Sequence, residues 1–297
     1  MSYAIRHYQE FLRKSWMQIT LGLILFLPLA IGLTLLFKSL PLLTNLEFSG
    51  FLLGSEWIPA QGKFGLLPFI VSSVIISFIG LLIMVPLCLT AAIYITQFAP
   101  VWISRFLRSV IDILAGIPSV IFGLWGVISI VPVVSSWANL YGTENSSGYS
   151  LLAAGVVVSV SVMPFMMNML IGLFESVAIE FKEVALSMGA SYWQTIKWVI
   201  LKKIRPGIWA SFTLGASKSF GETIAVLMVV GNVVKIPGSL FDPGYPLSAL
   251  LANNYGEMMS IPMYDAALMF SALILLIIVI FFNYLSHKVI RYYQSKA

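Results

Sequence analysis

An all-α, polytopic membrane protein with six transmembrane helices is the fold class this sequence predicts, and three observations predict it. Of its 297 residues 59% are hydrophobic and only 10% charged, against about 25% charged in a soluble domain. Apolar runs recur between loops rich in Gly, Pro and polar residues, and they are close to the ~20 residues a helix needs to cross a bilayer. Lysine and arginine also alternate from loop to loop, dense in one set and sparse in the next.

The elements follow in order. Residues 1–18 are polar and basic (Arg6, Arg13, Lys14), and residues 19–37 form an uncharged run of nineteen, enough for a hydrocarbon core of about 30 Å. A secretory signal would have a shorter apolar stretch and a small-residue cleavage site, so a retained first span is expected. Residues 38–66 form a loop with Pro41, Gly50, Gly54, Pro59 and Gly62. The second span, 67–95, contains Pro86 and suggests a tilted or kinked helix. After a short basic stretch at 97–111, the third span covers about 117–134. It is entered through Gly116-Ile117-Pro118-Ser119, where the proline starts a helix well and the helix N-terminus could face an anion. A polar loop at 135–149, with Asn139, Gly142 and Gly148, leads to a fourth span at 150–174, broken by Pro164. The charged segment 175–205 comes next. Pro206 opens the fifth span, to about Val230, and after a Gly-, Pro- and Asn-rich loop at 231–263 the sixth covers 264–285.

Both tails and the 97–111 and 175–205 loops hold thirteen of the 17 Lys and Arg, whereas the alternate loops hold only Lys38, Lys63 and Lys235. That bias places both termini and the long charged segment in the cytoplasm. The net charge of +5 therefore reads as orientation and lipid contact, and no nucleic-acid partner is expected. The single cysteine, Cys88, excludes an internal disulfide and reads as a small buried apolar side chain. His7 and His287 lie in the tails without metal-ligand companions, so neither a metal nor a cofactor is expected. No G-x-x-x-x-G-K-[ST] phosphate loop occurs, so ATP chemistry is not expected in this chain. There is no internal repeat of the kind from which many secondary transporters are built.

Two stretches stand out within this frame. In 180–204 a helical reading fits residues 181–188 and again 193–204. Gly189 stands between them, where a turn needs freedom from Cβ constraints. Val184, Met188, Trp193, Ile196 and Ile200 recur at roughly helical spacing. An interfacial helix lying on lipid and a short helix gripped by a soluble partner both fit. The other stretch is the fifth span. Lys218 lies twelve residues past Pro206, about 18 Å along a helix and so near mid-membrane. A lone ammonium there costs at least about 2.5–3.5 kcal/mol, so it must face protein or water. Glu222 is four residues on, on the same helical face. An internal ion pair is one reading, although such pairs stabilise weakly. A substrate pathway is the other, because intramembrane ionisable residues are functional candidates by default. The small residues Ser211, Gly215, Ser217, Ser219, Gly221 and Ala225 suit close helix packing, and Ser217 and Ser219, which flank the lysine, could also bind an anion. Asp112 is expected to pair with Arg108 one turn earlier, and Asp265 to favour the start of the sixth helix.

Glu183-Val184-Ala185, with Gly189 six positions after the glutamate, resembles the EAA signature of ABC-importer permeases (binding-protein-dependent transport permeases). Leu201 continues the pattern, while Val184 and Lys202 stand where alanine and proline are usual. Arg205-Pro206-Gly207-Ile208 agrees again. So do the stretches 114–126 (LAGIPSVIFGLWG) and 221–232 (GETIAVLMVVGN). Together, over about residues 67–285, they resemble the permease subunits of phosphate-specific ABC importers, of the PstC rather than the PstA type. The resemblance implies a type I importer permease fold: one transmembrane domain over 1–297, with a tail, first span and external loop at 1–66, a core at 67–285 and a cytoplasmic tail at 286–297. It implies a multi-pass subunit of the bacterial inner membrane. Its partners would be a second, PstA-type permease, two ATP-hydrolysing subunits, and an external phosphate-binding protein met by the 38–66 and 231–263 loops. Glu183, Ala185, Gly189 and Ala190 would belong to the coupling helix that docks on the ATPase. Lys218, where the family usually has arginine, would offset the charge of a passing phosphate, and Glu222 would restrain it. A phosphate hydroxyl could donate to the carboxylate, which sulfate could not do. The competing expectations are the same scaffold carrying another oxyanion such as molybdate, and an ion-coupled transporter using Lys218 and Glu222 as a proton relay.

Overall fold

The computed structural model describes residues 3–45, 48–140, 147–256 and 263–294. Gly142, residues 257–262 of the expected outer loop and the last three residues of the basic tail lie outside them. Long apolar segments have one main way to satisfy their own N–H and C=O groups, which is to wind into helices, and the described chain is helical almost throughout. Helix α1 (Tyr3–Asn45) is followed by α2 (Phe48–Leu53) and a two-residue hairpin, β1 (Trp57–Ile58) against β2 (Lys63–Phe64), with Trp57 opposite Phe64. Helix α3 (Leu67–Ile93) runs uninterrupted through Pro86 and closes in a π turn at Tyr94–Phe98. After α4 (Val101–Gly116), a single rod from Ser119 to Leu140 comprises α5 (Ser119–Trp125), a π turn and α6 (Val131–Leu140). Then come α7 (Leu151–Glu175), α8 (Ile179–Ser187) and α9 (Tyr192–Gln194), which leads through a π turn into α10 (Leu201–Gly221). Short α11 (Ile224–Val229) and α12 (Leu247–Asn254) precede α13 (Tyr264–Gln294).

Several expectations need correcting here. Pro164 does not break the fourth span: α7 is continuous across it, as membrane helices allow where neighbours or local adjustment absorb the lost bond. The third span reaches Leu140 and the sixth reaches Gln294. By length and apolarity five described helices could cross a bilayer, so the count of six is not exact. The expected fifth span is α10 and α11, separated by a break at Glu222–Thr223.

The largest core lies where α3 packs on α7. Gly155 of α7 lets the two backbones close: a Cβ at that position would sit 2.5 Å from Ile79 Cγ2. Met84, Cys88, Val158, Val162, Met166 and Leu170 are buried along the seam, with α5, α10 and α11 packed around it. Cys88 is the small buried side chain the sequence suggested. A second core gathers the hairpin, the starts of α3 and α13, and α12. There Trp57 meets the rings of Phe64 and Phe69 edge-on at 5.4 and 5.3 Å. Asp265, in the first turn of α13, lies 3.8 Å from Lys38 of α1 at this end. Contacts among residues 97, 108, 175, 182 and 192 gather the two basic loops at the other end. Helix α1 packs on α13 and turns its apolar side chains outward, Leu25 and Phe26 among them.

Candidate functional site

Helix α10 presents Lys218 to a cavity of about 570 Å³ lined also by Leu114, Ala115, Ile117, Ser119, Ser161, Pro164, Phe165, Asn168, Met169 and Glu222. Four elements therefore build its wall: the end of α4, the start of α5, the middle of α7, and α10 with its C-terminal break. The Lys218 ammonium stands 5.3 Å from the centroid of the Phe165 ring. Among the described residues no carboxylate lies within 4 Å of it. Its charge is open to whatever enters the cavity.

The helical face expected to carry Lys218 and Glu222 together does not exist. α10 ends at Gly221, and Glu222 is its C-cap in extended backbone (φ −70°, ψ 121°). The internal ion-pair reading thus fails, although both side chains line one cavity. The break is held by hydrogen bonds: Ser248 Oγ of α12 donates to the Glu222 carbonyl at 3.0 Å and Thr223 Oγ1 to the Gly221 carbonyl at 3.2 Å. Irregular backbone at membrane depth persists where protein satisfies it or where it borders a cavity, and both conditions hold here. The Glu222 carboxylate accepts from Ser161 Oγ at 3.3 Å. The neighbouring serines lie elsewhere. Ser217 is buried against α13, where Asn283 Nδ2 donates to it at 3.4 Å. Ser219 is buried on the far side of Glu222, in a small pocket with Ser73, Ser77 and Ser248.

The opposite wall is tied by contacts that sequence spacing did not reveal. Arg108 of α4 pairs with Glu175 of α7 at 2.6 Å, and Asn168 Nδ2 donates to Asp112 Oδ1 at 3.2 Å. The expected Arg108–Asp112 pair is thus replaced by two links from α4 to α7. Ser161 and Asn168 entered the site unannounced. Asn168, a lone amide in an apolar span, was the available signal. Ser119 opens the Ser119–Leu140 rod with its N-terminus at the cavity, where unpaired backbone N–H groups attract anions.

At the basic end, α8 stands out from the body. Ala185 is buried and Ala190 half-buried, whereas Glu183, Val184, Met188 and Gly189 are exposed, Met188 at 82%. The apolar stripe expected from Val184 to Ile200 is therefore split. Ile196 and Ile200 are core residues, and Val184 and Met188 project into open space. The chain reverses between them at Gly189, whose φ is +82°. Ala190 N–H bonds to the Ala185 carbonyl at 3.2 Å and Gly189 N–H to that of Leu186 at 3.0 Å, the pair of bonds that defines a Schellman C-cap. A capping box follows at once: Ser191 and Gln194 each accept from the other's backbone N–H, at 3.3 and 2.8 Å. Two end-motifs back to back fix the angle between α8 and the helix leading to Lys218.

A charged cavity at a broken helix, inside a bundle with five described helices long and apolar enough to cross a bilayer, is the architecture of a multi-pass membrane transport protein. The chain belongs to the binding-protein-dependent transport system inner membrane component family, whose model matches residues 84–292. It is 32% identical over 248 residues to the phosphate transport system permease protein PstC of Xylella fastidiosa (strain 9a5c), covering 79% of this chain and 76% of that one. With the PstC of Haemophilus influenzae it shares 33% identity over 226 residues, 71% of this chain and 72% of the other. Among solved structures it resembles a chain of a bacterial alginate ABC transporter in complex with a periplasmic protein, with a TM-score of 0.62 at 16% identity over 97% of both chains. That likeness bears on the fold alone: the type I importer permease fold.

Proposed function

We propose that this chain is the permease subunit of an ATP-driven importer that carries inorganic phosphate into the cell, paired with a PstA-type permease, two ATPase subunits and an external phosphate-binding protein. The observation that carries the reading is Lys218: a cation with no carboxylate within 4 Å among the described residues, facing a cavity of mixed polar and apolar lining bordered by a helix break, in a chain 32–33% identical to phosphate permeases over 71–79% of its length. An oxyanion entering the cavity meets the ammonium, the hydroxyls of Ser119 and Ser161 and the Asn168 amide. Glu222 accepts a hydrogen bond from a protonated phosphate oxygen and repels an anion that has no proton to give. Ser217 and Ser219 are buried behind the cavity wall and do not line it. The basic loops mark the cytoplasmic side of a bacterial inner membrane, and both termini lie there. On that side the exposed crest of α8, with Glu183, Val184, Met188 and Gly189, docks on the ATPase, where ATP is hydrolysed. Closure of the ATPase pair moves α8, the fixed Gly189 elbow passes that motion to α10, and access to Lys218 alternates between the two sides.

The test is ATP-dependent accumulation of phosphate by proteoliposomes containing the complete complex, with binding protein outside. Accumulation that molybdate and sulfate fail to suppress supports the reading. Suppression by molybdate would transfer the scaffold to another oxyanion, and uptake without any ATPase subunit would point to ion coupling instead.

A further inference from the structure

Tyr192 opens the helix that leads from the Gly189 elbow toward Lys218, and its phenol is engaged on both sides. Lys182 Nζ of α8 donates to the Tyr192 oxygen at 2.6 Å and lies 4.4 Å from the centroid of its ring. The Tyr192 hydroxyl in turn donates to the backbone carbonyl of Gln97, and the ring meets Phe98 edge-on at 5.4 Å. Gln97 sits in the π turn that closes α3, where the last carbonyls of a helix have no partner of their own. One side chain therefore joins the protruding helix α8 and the helix entering the core, neighbours in the chain, to the elbow between α3 and α4, 95 residues earlier.

The elbow leads to the cavity. From Pro100 the chain turns into α4, whose far end supplies Leu114, Ala115 and, just beyond, Ile117 to the wall facing Lys218. Between those points α4 is fastened to α7 by Arg108–Glu175 and by Asp112–Asn168, and Asn168 is itself a wall residue. A displacement of α8 thus has two routes inward. One passes through the Gly189 elbow into α10. The other passes through Lys182 and Tyr192 to Gln97, and along α4 to the opposite wall.

We propose that Tyr192 is a positioning residue that couples α8 to the α3–α4 elbow, so that both walls of the Lys218 cavity respond to the same stroke. The proposal rests on the reading of α8 as the ATPase-docking helix. Tyr192→Phe keeps the ring and its contact with Phe98 while deleting both hydrogen bonds. In proteoliposomes holding the complete complex, phosphate accumulated per ATP hydrolysed falls at least about fivefold, the factor that losing even one of the two hydrogen bonds produces. ATP hydrolysis itself continues, and subunit composition and melting temperature stay as in the unaltered complex. Lys182→Met, which removes the donor from α8 but leaves Tyr192 on Gln97, lowers the same ratio by a smaller factor, and it decides the matter if Tyr192→Phe fails to assemble. An unchanged ratio in the assembled variants overturns the proposal, whether both rates persist or both fall in proportion. Failure of the underlying reading would show separately, as absence of ATP-driven phosphate accumulation by the unaltered complex.

Discussion

Replacing Lys218 by glutamine tests the charge logic of the cavity most directly. Among the described residues Lys218 and Glu222 are its only charged lining residues, so that lining is close to neutral as it stands. Lys218→Gln leaves one carboxylate, and the cavity changes from tolerating an anion to repelling it. Two unit charges about 4 Å apart interact by about 4 kcal/mol at an effective dielectric of 20, and by about 1 kcal/mol in bulk water. Lys218 is exposed to the cavity, so the value lies between these limits. A loss of about 1.5–3 kcal/mol corresponds to a ten- to hundredfold fall in uptake at sub-saturating phosphate. Initial rates of phosphate uptake, normalised to the amount of assembled complex, provide the measurement. Lys218→Arg keeps the charge and is expected to transport within a few-fold of the original. Adding Glu222→Gln to Lys218→Gln restores neutrality and recovers part of the loss. Undiminished uptake by the fully assembled Lys218→Gln complex would refute the reasoning, because the cation would then have no part in substrate passage.

Glu222→Gln alone keeps an oxygen for Ser161 but removes the charge that disfavours unprotonated anions. Sulfate is therefore expected to become a better competitor of phosphate uptake, read as a lower sulfate concentration for half-inhibition. Gly189→Val places a β-branched residue at φ +82°, a strain of about 1–2 kcal/mol. It unseats the α8 elbow, and less ATPase subunit should co-purify while the bundle keeps its melting temperature. Gly155→Val drives a side chain into Ile79, 2.5 Å from the ideal Cβ. Overpacking of this kind costs about 1–3 kcal/mol, so the melting temperature in detergent should drop, and Ile79→Ala in the same chain should restore part of it.

What could be read from the chain beforehand divides by the range of the interaction involved. Residues 19–37 and 264–285 announce themselves because burying apolar side chains in a bilayer depends on composition, and composition is local. The turn at Gly189 was legible for the same reason, since a left-handed residue between two helical patterns leaves a local mark. The break after Gly221 was not. Its backbone is held by Ser248, 26 residues away, and helical spacing alone carried the pattern straight across it. The Lys218–Glu222 pair failed as a consequence, because an i, i+4 argument presumes the helix it needs. Arg108 and Asp112 are a different case: both point to α7, 67 and 56 residues on, and helical spacing favours the partner nearer in sequence over the one nearer in space. Asn168 left a faint signal, a polar amide within an apolar span. Tyr192 left none, because a tyrosine beside Trp193 in a charged amphipathic stretch looks like one more interfacial ring.

The Schellman cap and capping box around Gly189 make the joint between α8 and the next helix stiff. A floppy tether would absorb a push as slack, and the substrate gate would then open by chance whenever thermal motion allowed. If α8 is the docking helix of the proposed function, a locked corner converts the same push into rotation, and each nucleotide cycle would register at the far side of the protein. Import against a steep gradient would need that tight link, since a gate that drifts open between strokes becomes a leak.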